Sequence, residues 1–381
     1  MQQAHADSYL MSQLANLPEY SSGNNGGVTL YGSVDLGGLY TKADNAPSNF
    51  QMQSGGMYTS KFGLYGQEDL GGGLKAEFKL ESGFLANTGA MQASALFNRE
   101  SWVGLKSSEW GTVRFGNQIN AMLPLFIDPF GLVTTNSVYG WVGGGVVQSS
   151  RGAGYNTDLG VGASSLLTRV PNAITYATPR VGGVDGQLIY ATNTTGANNP
   201  RVASQGGVIS YLTAPFYFAA SYNQVWSAPV ALTPDAAPEG IRTDIPAIGV
   251  IYDNGKLVLS ASYTLMAPKV AQDGIARITT LGAILPLGRF TYRASAIYRD
   301  TSDVRDSTGK EVHDAALGIM LGSDYAFSKR TTLYARLGEV RNYGASTIIL
   351  NSTPLPFEAG TFNPQTGITT KSLAVGMNHS F

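Results

Sequence analysis

Side chains that could carry out catalysis are scarce in this chain of 381 residues. It contains no Cys, which removes thiol nucleophiles, thiolate metal ligands and disulfides together. The three His are His5, His313 and His379. Asp314 directly follows His313, but adjacent residues of a strand point to opposite faces and cannot share a proton. The sequence therefore predicts no enzymatic activity and no cofactor.

Metal, phosphate and nucleic-acid sites have equally little support in the sequence. Residues 300–314 are rich in oxygen ligands, yet their spacing matches no calcium-binding loop, and a solvated loop is the favoured interpretation. The glycine runs lack the Lys-Ser/Thr pair that a phosphate-binding loop requires. The formal net charge is −1, which argues against a nucleic-acid partner. We expect neither a bound metal nor bound nucleic acid.

The charged residues instead follow the two-residue period of β-strands. In LKAEFKLESGF, residues 74–84, four charged residues occupy one face and apolar residues the other, so the charged face requires water. The same parity elsewhere gives an inward set of six cations, Lys61, Lys75, Lys79, Arg114, Arg293 and Arg336, and three acids, Asp35, Glu77 and Glu81. A row of cations along a water-filled wall attracts anions, and the acids make the field mixed. A solvated charge with no effect on selectivity is the alternative for each.

About sixteen predicted strands must position these charges. They span residues 28–40, 58–68, 74–84, 99–106, 111–117, 172–177, 184–191, 205–212, 216–226, 244–252, 256–265, 277–286, 289–300, 313–326, 331–340 and 371–381. Their connections alternate between short turns rich in Gly, Asn and Asp and much longer loops. No run of about 18 apolar residues is present that could span a membrane as a helix. This layout predicts an all-β fold, a transmembrane antiparallel β-barrel with an apolar outside and a wet lumen.

The last residues, KSLAVGMNHSF, read as a strand up to Phe381. Apolar residues recur at every second position, and small or polar residues lie between them. A free strand edge recruits other chains, and closure of a barrel removes that edge. We therefore predict that residues 371–381 pair with the first strand, residues 28–40.

Four stretches carry a resemblance to a known family, the Gram-negative general porins of the beta-proteobacterial and neisserial type. They are VTLYGSVDLGGLY (28–40), KFGLYGQEDLGGGLKAEFKLESGF (61–84), NRESWVGLKSSEWGTVRFGNQ (98–118) and the terminal VGMNHSF (375–381). The resemblance implies a homotrimeric 16-stranded barrel in the outer membrane, surrounded by its lipid, that lets small hydrophilic solutes and ions diffuse passively. It also implies that the barrel-assembly machinery reads Phe381. Family members often carry basic residues where this chain has Tyr65 and Asn117, so we expect only a weak preference for anions.

The longest stretch without strand rhythm, residues 119–170, lies where the family's constriction loop lies. The resemblance implies that this loop folds into the lumen and sets its narrowest point, together with Asp128. The loop is rich in aromatic residues, namely Phe126, Phe130, Tyr139, Trp141 and Tyr155. An aromatic constriction selects by size and apolar contact. A channel specific for small organic acids, including aromatic ones, is therefore one alternative function, and a loop packed over the barrel rim is the alternative placement.

Residues 1–27 precede the barrel, which we place at residues 28–381. Leu10, Leu14 and Leu17 form an apolar helical stripe that Pro18 ends, and a tether rich in Ser, Gly and Asn follows. A plug or docking helix and an unstructured leader are both open interpretations. A second class of function also remains, a surface-exposed adhesin-like barrel that binds through long loops such as 228–243 and 341–370.

Overall fold

Sixteen antiparallel strands close into a barrel in the computed structural model, which describes residues 27–120, 128–131, 136–149, 152–160, 162–164, 168–193, 200–231, 235–270, 274–306, 308–351 and 353–381. The barrel strands are β1 (Gly27–Ala43), β3 (Lys61–Gly71), β4 (Leu74–Gly83), β5 (Glu100–Ser107), β6 (Gly111–Ile119), β9 (Arg169–Ala177), β10 (Val184–Thr192), β11 (Val202–Thr213), β12 (Phe216–Trp226), β13 (Arg242–Asp253), β14 (Val258–Pro268), β15 (Ala276–Leu287), β16 (Phe290–Thr301), β17 (Asp314–Ala326), β18 (Thr331–Gly344) and β19 (Thr369–Ser380). Three short strands accompany them: β2 (Asn49–Ser54), β7 (Val146–Ser149) and β8 (Gly152–Tyr155).

Closure occurs between the first and last strands, as predicted. β1 and β19 are antiparallel, with Leu36 opposite Met377 and Leu39 opposite Ala374. The backbone of Phe381 both donates to and accepts from Gly32, each at an N···O distance of 3.0 Å. The predicted fold class is therefore confirmed, and all sixteen predicted strands are present with ends that differ by a few residues.

The second barrel strand is split, which the sequence pattern did not reveal. β1 pairs with β3 through residues 27–33 and with β2 through residues 36–41. Residues 55–60 connect the two pieces, and we call them the strand-2 insert. The prediction began this strand at residue 58, whereas β3 begins at Lys61, because backbone N–H groups of the insert bond to Asp35 instead of to the sheet.

The outer surface is apolar, and aromatic rings gather near the short turns. Phe290 and Tyr325 lie 4.9 Å apart between ring centroids, and Tyr325 and Phe327 lie 5.1 Å apart. Tyr and Phe at this level match the aromatic girdles of outer-membrane barrels. Among the described residues, no helix is long and apolar enough to cross a membrane.

The apolar core of the molecule lies on the inner side of the wall formed by β13–β18. Ile245, Met266, Ile278, Ile297 and Met320 belong to it, and each is at most 1% exposed. Their partners include Val138, Tyr139, Val142 and Val146, which lie between β6 and β9. In this region the chain forms a π-helical turn, Tyr139–Gly143, and a 3₁₀ turn, Thr157–Leu159, beside the β7–β8 hairpin. The described parts of the predicted constriction loop thus pack onto inward side chains of the barrel.

Candidate pore constriction

Arg299, on β16, ties the loop to the wall through a fully buried ion pair. Its guanidinium nitrogen lies 2.7 Å from a carboxylate oxygen of Asp158, and the two side chains are 0% and 2% exposed. Arg299 also donates to the backbone oxygen of Gly143 at 3.2 Å and to Oδ1 of Asn156 at 3.2 Å. The hydroxyl of Thr301 donates to Asp158 at 2.8 Å. These bonds satisfy both ions in a site that water does not reach, and they hold both turns of the loop against β16.

A second loop extends the hairpin of the first. The backbone N–H of Gln148 donates to the oxygen of Thr347 at 3.1 Å, and that of Ile349 donates to Val146 at 2.9 Å. Val147 and Ile348 form an antiparallel bridge. Residues 347–349, between β18 and β19, therefore add a third short strand to the β7–β8 pair. No sequence pattern predicted this contact between distant loops.

The segment Asp128–Gly131 approaches two arginines, one on β16 and one on β18. Arg336 lies over the ring of Phe130, with its central carbon 5.3 Å from the centroid. Arg293 donates to the backbone oxygen of Pro129 at 2.9 Å. Both arginines also contact Asp324, Arg293 at 2.8 Å and Arg336 at 2.6 Å. One carboxylate therefore holds two cations beside the loop.

Asp128 is a buried carboxyl group of the same segment. Its side chain is 0% exposed and accepts a hydrogen bond from the hydroxyl of Ser137 at 2.5 Å. Burial raises the pKa of Asp128 above its usual value, and the hydrogen bond from Ser137 opposes that shift only in part. The sequence interpretation placed Asp128 among the charges at the constriction. Burial keeps its carboxyl group away from the water of the lumen.

Asp35, on β1, holds the strand-2 insert inside the barrel. Its carboxylate accepts backbone N–H bonds from Gly56 at 2.8 Å, Met57 at 3.1 Å and Tyr58 at 2.9 Å. It also accepts a bond from the hydroxyl of Tyr334 at 2.8 Å. Charged acceptors make the stronger class of hydrogen bond, so these four contacts fix a segment that has left the sheet.

The insert and the loop meet directly. The side-chain amide of Asn136 donates to the backbone oxygen of Gly56 at 3.1 Å. The narrow space between them is lined by Gly56, Met57, Tyr58, Pro129, Phe130, Gly131, Arg293 and Arg336. A Cβ on Gly56 would stand 2.2 Å from the hydroxyl oxygen of Tyr334, so only glycine lets the insert lie this close. The lumen is therefore narrowed from two sides.

A charged wall formed by β3–β5 carries the predicted residues Lys61 and Lys79. Glu81 lies 3.3 Å from Lys61, 3.6 Å from Lys79 and 2.6 Å from Arg99. Lys79 also contacts Glu100 at 2.6 Å. Three cations and two acids thus form one connected network, in which the inward parity prediction had missed Arg99 and Glu100. Arg99 directly precedes β5 and Glu100 is its first residue. At the start of a strand too few residues alternate for the inward face to be recognised.

Arg114 and Glu77 form a separate pair on β6 and β4. The guanidinium lies 2.8 Å from the carboxylate and 4.2 Å from the centre of the Trp102 ring. Tyr65 donates to the same carboxylate at 3.0 Å, so it occupies a place beside Glu77 instead of adding a positive charge. Lys75, further along β4, is half-buried. The pair of Arg114 and Glu77 therefore carries no net charge, and Lys75 adds one positive charge near it.

Two of the five predicted aromatic residues of the loop, Tyr139 and Trp141, pack against the barrel wall. Tyr139 is 2% exposed and Trp141 is 7% exposed, and the indole N–H of Trp141 donates to Asn351 at 3.1 Å. Phe130 borders the narrow space, and Tyr155 is 51% exposed. Phe126 lies outside the described residues. Since Tyr139 and Trp141 face the wall, neither offers an aromatic surface to a passing solute.

The family comparisons agree with this architecture. A family model described as Gram-negative porin matches residues 2–345. Outer membrane porin protein 32 of Delftia acidovorans is 29% identical over 367 residues, which cover 93% of this chain and 94% of that protein. The major outer membrane protein P.IB of Neisseria lactamica is 26% identical and covers 82% of this chain and 87% of its own length. An anion-selective porin from Comamonas acidovorans has a similar structure, with a TM-score of 0.72 at 25% identity, covering 94% of this chain and all of that one. The chain belongs to the Gram-negative porin family and is an integral β-barrel of the outer membrane.

Proposed function

We propose that this protein is a passive diffusion channel for small hydrophilic solutes and ions, with a weak preference for anions. The observation that carries the preference is the charge of two ion clusters on the inner face of the barrel, the second of which borders the narrow space. One cluster holds Lys61, Lys79 and Arg99 against Glu81 and Glu100, and the other holds Arg293 and Arg336 against Asp324. Each has one cation more than it has acids.

The excess is small because one further acid offsets part of it. The five cations of the two clusters face their own three acids and Asp35, which leaves a single positive charge. The pair of Arg114 and Glu77 cancels. The Comamonas relative is named as anion-selective, which agrees with the sign. Salt screens charges over a Debye length of about 8–10 Å and screens buried pairs less, so the preference of these largely buried clusters should weaken only in part as salt rises.

The reversal potential of the purified protein in a planar bilayer tests the proposal. In a gradient of dilute KCl we expect a potential of the sign that chloride permeation produces, and a value closer to zero in concentrated KCl. A potential of the cation-selective sign in dilute KCl would refute the preference. The absence of any single-channel conductance would favour the adhesin-like alternative.

We also propose that the channel is a homotrimer and that the barrel-assembly machinery reads its last strand. Family membership supports both statements, and the exposed Phe381 supports the second, since its ring is 47% accessible beside the closing seam. Native mass spectrometry from mild detergent should give a trimer, and a monomer would contradict it.

Phe381→Ala should lower outer-membrane insertion in vivo while the refolded variant still conducts. Equal amounts of variant and wild type in the membrane would overturn the assembly role.

A further inference from the structure

A separate cavity lies between the strand-2 insert and the side of the barrel that carries the short turns. Its volume is about 360 Å³, which falls in the range of roughly 300–1,000 Å³ that small-molecule sites occupy. Five cations line it, namely Lys61, Arg289, Arg293, Lys329 and Arg330. Asp324 is the acidic side chain among the lining residues, and the backbone oxygen of Phe381 at its edge accepts the N–H of Gly32.

These cations differ in whether an acidic side chain of the protein already neutralises their charge. Arg293 is held by Asp324 at 2.8 Å, and Lys61 lies 3.3 Å from Glu81. Arg289, Lys329 and Arg330 are exposed, and their side chains form no ion pair with any described residue. Thr291 and Thr332 line the same space, and so do Ser33 and Ser380, whose hydroxyl groups already donate to Thr59 and Asn378. The cavity therefore combines uncompensated positive charge with neutral hydrogen-bond donors.

A multivalent anion satisfies such a site better than chloride does. One molecule with two or more carboxylate or phosphate groups can contact several cations at once, and each such contact is a charge-assisted hydrogen bond. Chloride neutralises one cation and leaves the mutual repulsion of the others. The position behind the narrow space means that a bound anion would obstruct the permeation path.

We propose that this cavity is a binding site for small organic anions carrying two or more charges, on the periplasmic side of the constriction. The proposal rests on the proposed channel function and names its preferred solute class. Short turns face the periplasm in barrels of this kind, which sets the side of access.

Sided current block by citrate tests the site in planar bilayers. The chain has no Cys, so Asn254→Cys in the exposed turn between β13 and β14 gives a unique label that reports which way each channel has inserted. We expect citrate to reduce the KCl current at about ten-fold lower concentration from the periplasmic side than from the other. The double variant Arg289→Gln/Arg330→Gln should weaken this block by about ten-fold, since two exposed contacts are each worth roughly three-fold.

The matched control removes two exposed cations at the same end that do not line the cavity. Lys106→Gln/Lys256→Gln should leave the citrate concentration for half-block unchanged. Equal block from both sides, or equal weakening by both double variants, would overturn the site.

The reversal potential in KCl is measured on the same channels. An anion-selective potential with unsided block refutes the cavity alone, and a cation-selective potential with sided block that only the cavity variant weakens refutes the proposed selectivity while supporting the site.

Discussion

The inner face of the barrel differs sharply between its two walls. On β3–β5 it carries ionised side chains, and Glu81 contacts three cations within 3.6 Å. On β13–β18 it carries Ile245, Met266 and Ile278, which are buried under the loop that follows β6. Both walls present apolar residues to the outside. The first wall is thus lined by paired charges, whereas the second is one half of a hydrophobic core that also carries the ion cluster of Arg293, Asp324 and Arg336.

This difference explains how a long loop can hold a fixed place inside a wet channel. Buried apolar area stabilises the loop by about 25 cal/mol per Å², and the single ion pair of Arg299 and Asp158 adds a specific orientation. The charged wall needs no such partner because water and mutual ion pairs satisfy it. Function requires both walls, since the apolar wall holds the constriction and each wall carries one of the two ion clusters.

Breaking the buried ion pair should have the largest effect. Arg299→Met leaves Asp158 as an unpaired buried charge, and loss of one partner from such a pair typically costs about 3–5 kcal/mol. We expect the free energy of unfolding in urea to fall by about this amount. Single-channel recordings should also show a larger and noisier conductance, because the loop loses its attachment to β16.

The double variant Arg299→Met/Asp158→Asn separates charge from packing. It removes both ions, so most of the lost stability should return. If the double variant were as unstable as Arg299→Met, the buried charge would not be the cause, and shape at this site would be responsible instead.

Truncation of a core side chain on the apolar wall should have the second-largest effect on stability. Met320→Ala removes a side chain that is 0% exposed beneath the loop, and such truncations cost about 2–5 kcal/mol. Its neighbour Leu321 is 50% exposed on the outer face. Leu321→Ala is therefore the control, and we expect a smaller loss of stability in urea unfolding with normal single-channel noise. Equal noise in both variants would mean that the loop does not depend on this wall.

The strand-2 insert should respond more mildly. Asp35→Asn places an amide donor among three backbone N–H groups, so at least one buried donor loses its acceptor, at a cost of about 1–3 kcal/mol. We expect reduced stability in urea together with rapid fluctuations of the open current. Tyr334→Phe removes one hydrogen bond only and should cost about 0.5–1.5 kcal/mol. A larger effect from Tyr334→Phe than from Asp35→Asn would contradict the assignment of Asp35 as the main anchor.

The difference between the two walls also explains which features of the fold could be predicted from the sequence. All sixteen barrel strands were predicted, because the lipid-facing side keeps its period whichever wall the strand belongs to. The inward set was predicted well on β4, where charge alternates with apolar residues. It was incomplete on β13–β18, where apolar residues such as Ile278 and Met320 face inward among charged ones. Parity alone cannot separate an apolar face in lipid from one covered by a loop.

Tertiary contacts between distant parts of the chain also could not be predicted from the sequence. The break after β2 depends on Asp35 and Tyr334, which are separated by 299 residues. The alternation of apolar and polar residues around positions 56–58 does not predict that their N–H groups bond outside the sheet. The added strand at residues 347–349 has the same origin, since its partner hairpin lies about half the chain away.

The smallest expected effect concerns selectivity at two predicted inward cations, Arg114 on β6 and Lys75 on β4, which differ in their ion-pair partners. Arg114 lies 2.8 Å from Glu77, whereas Lys75 forms no ion pair with any described residue. Arg114→Gln leaves the Glu77 carboxylate facing the lumen without its partner, and so should shift the reversal potential in dilute KCl toward cations. Lys75→Gln should shift it less, because Lys75 lies nearer the turn and farther from the narrow space. Arg114→Gln/Glu77→Gln removes both charges and should restore the wild-type potential. If that double variant kept the shift of Arg114→Gln, the pair would not act as a neutral unit, and Arg114 itself would set part of the anion preference.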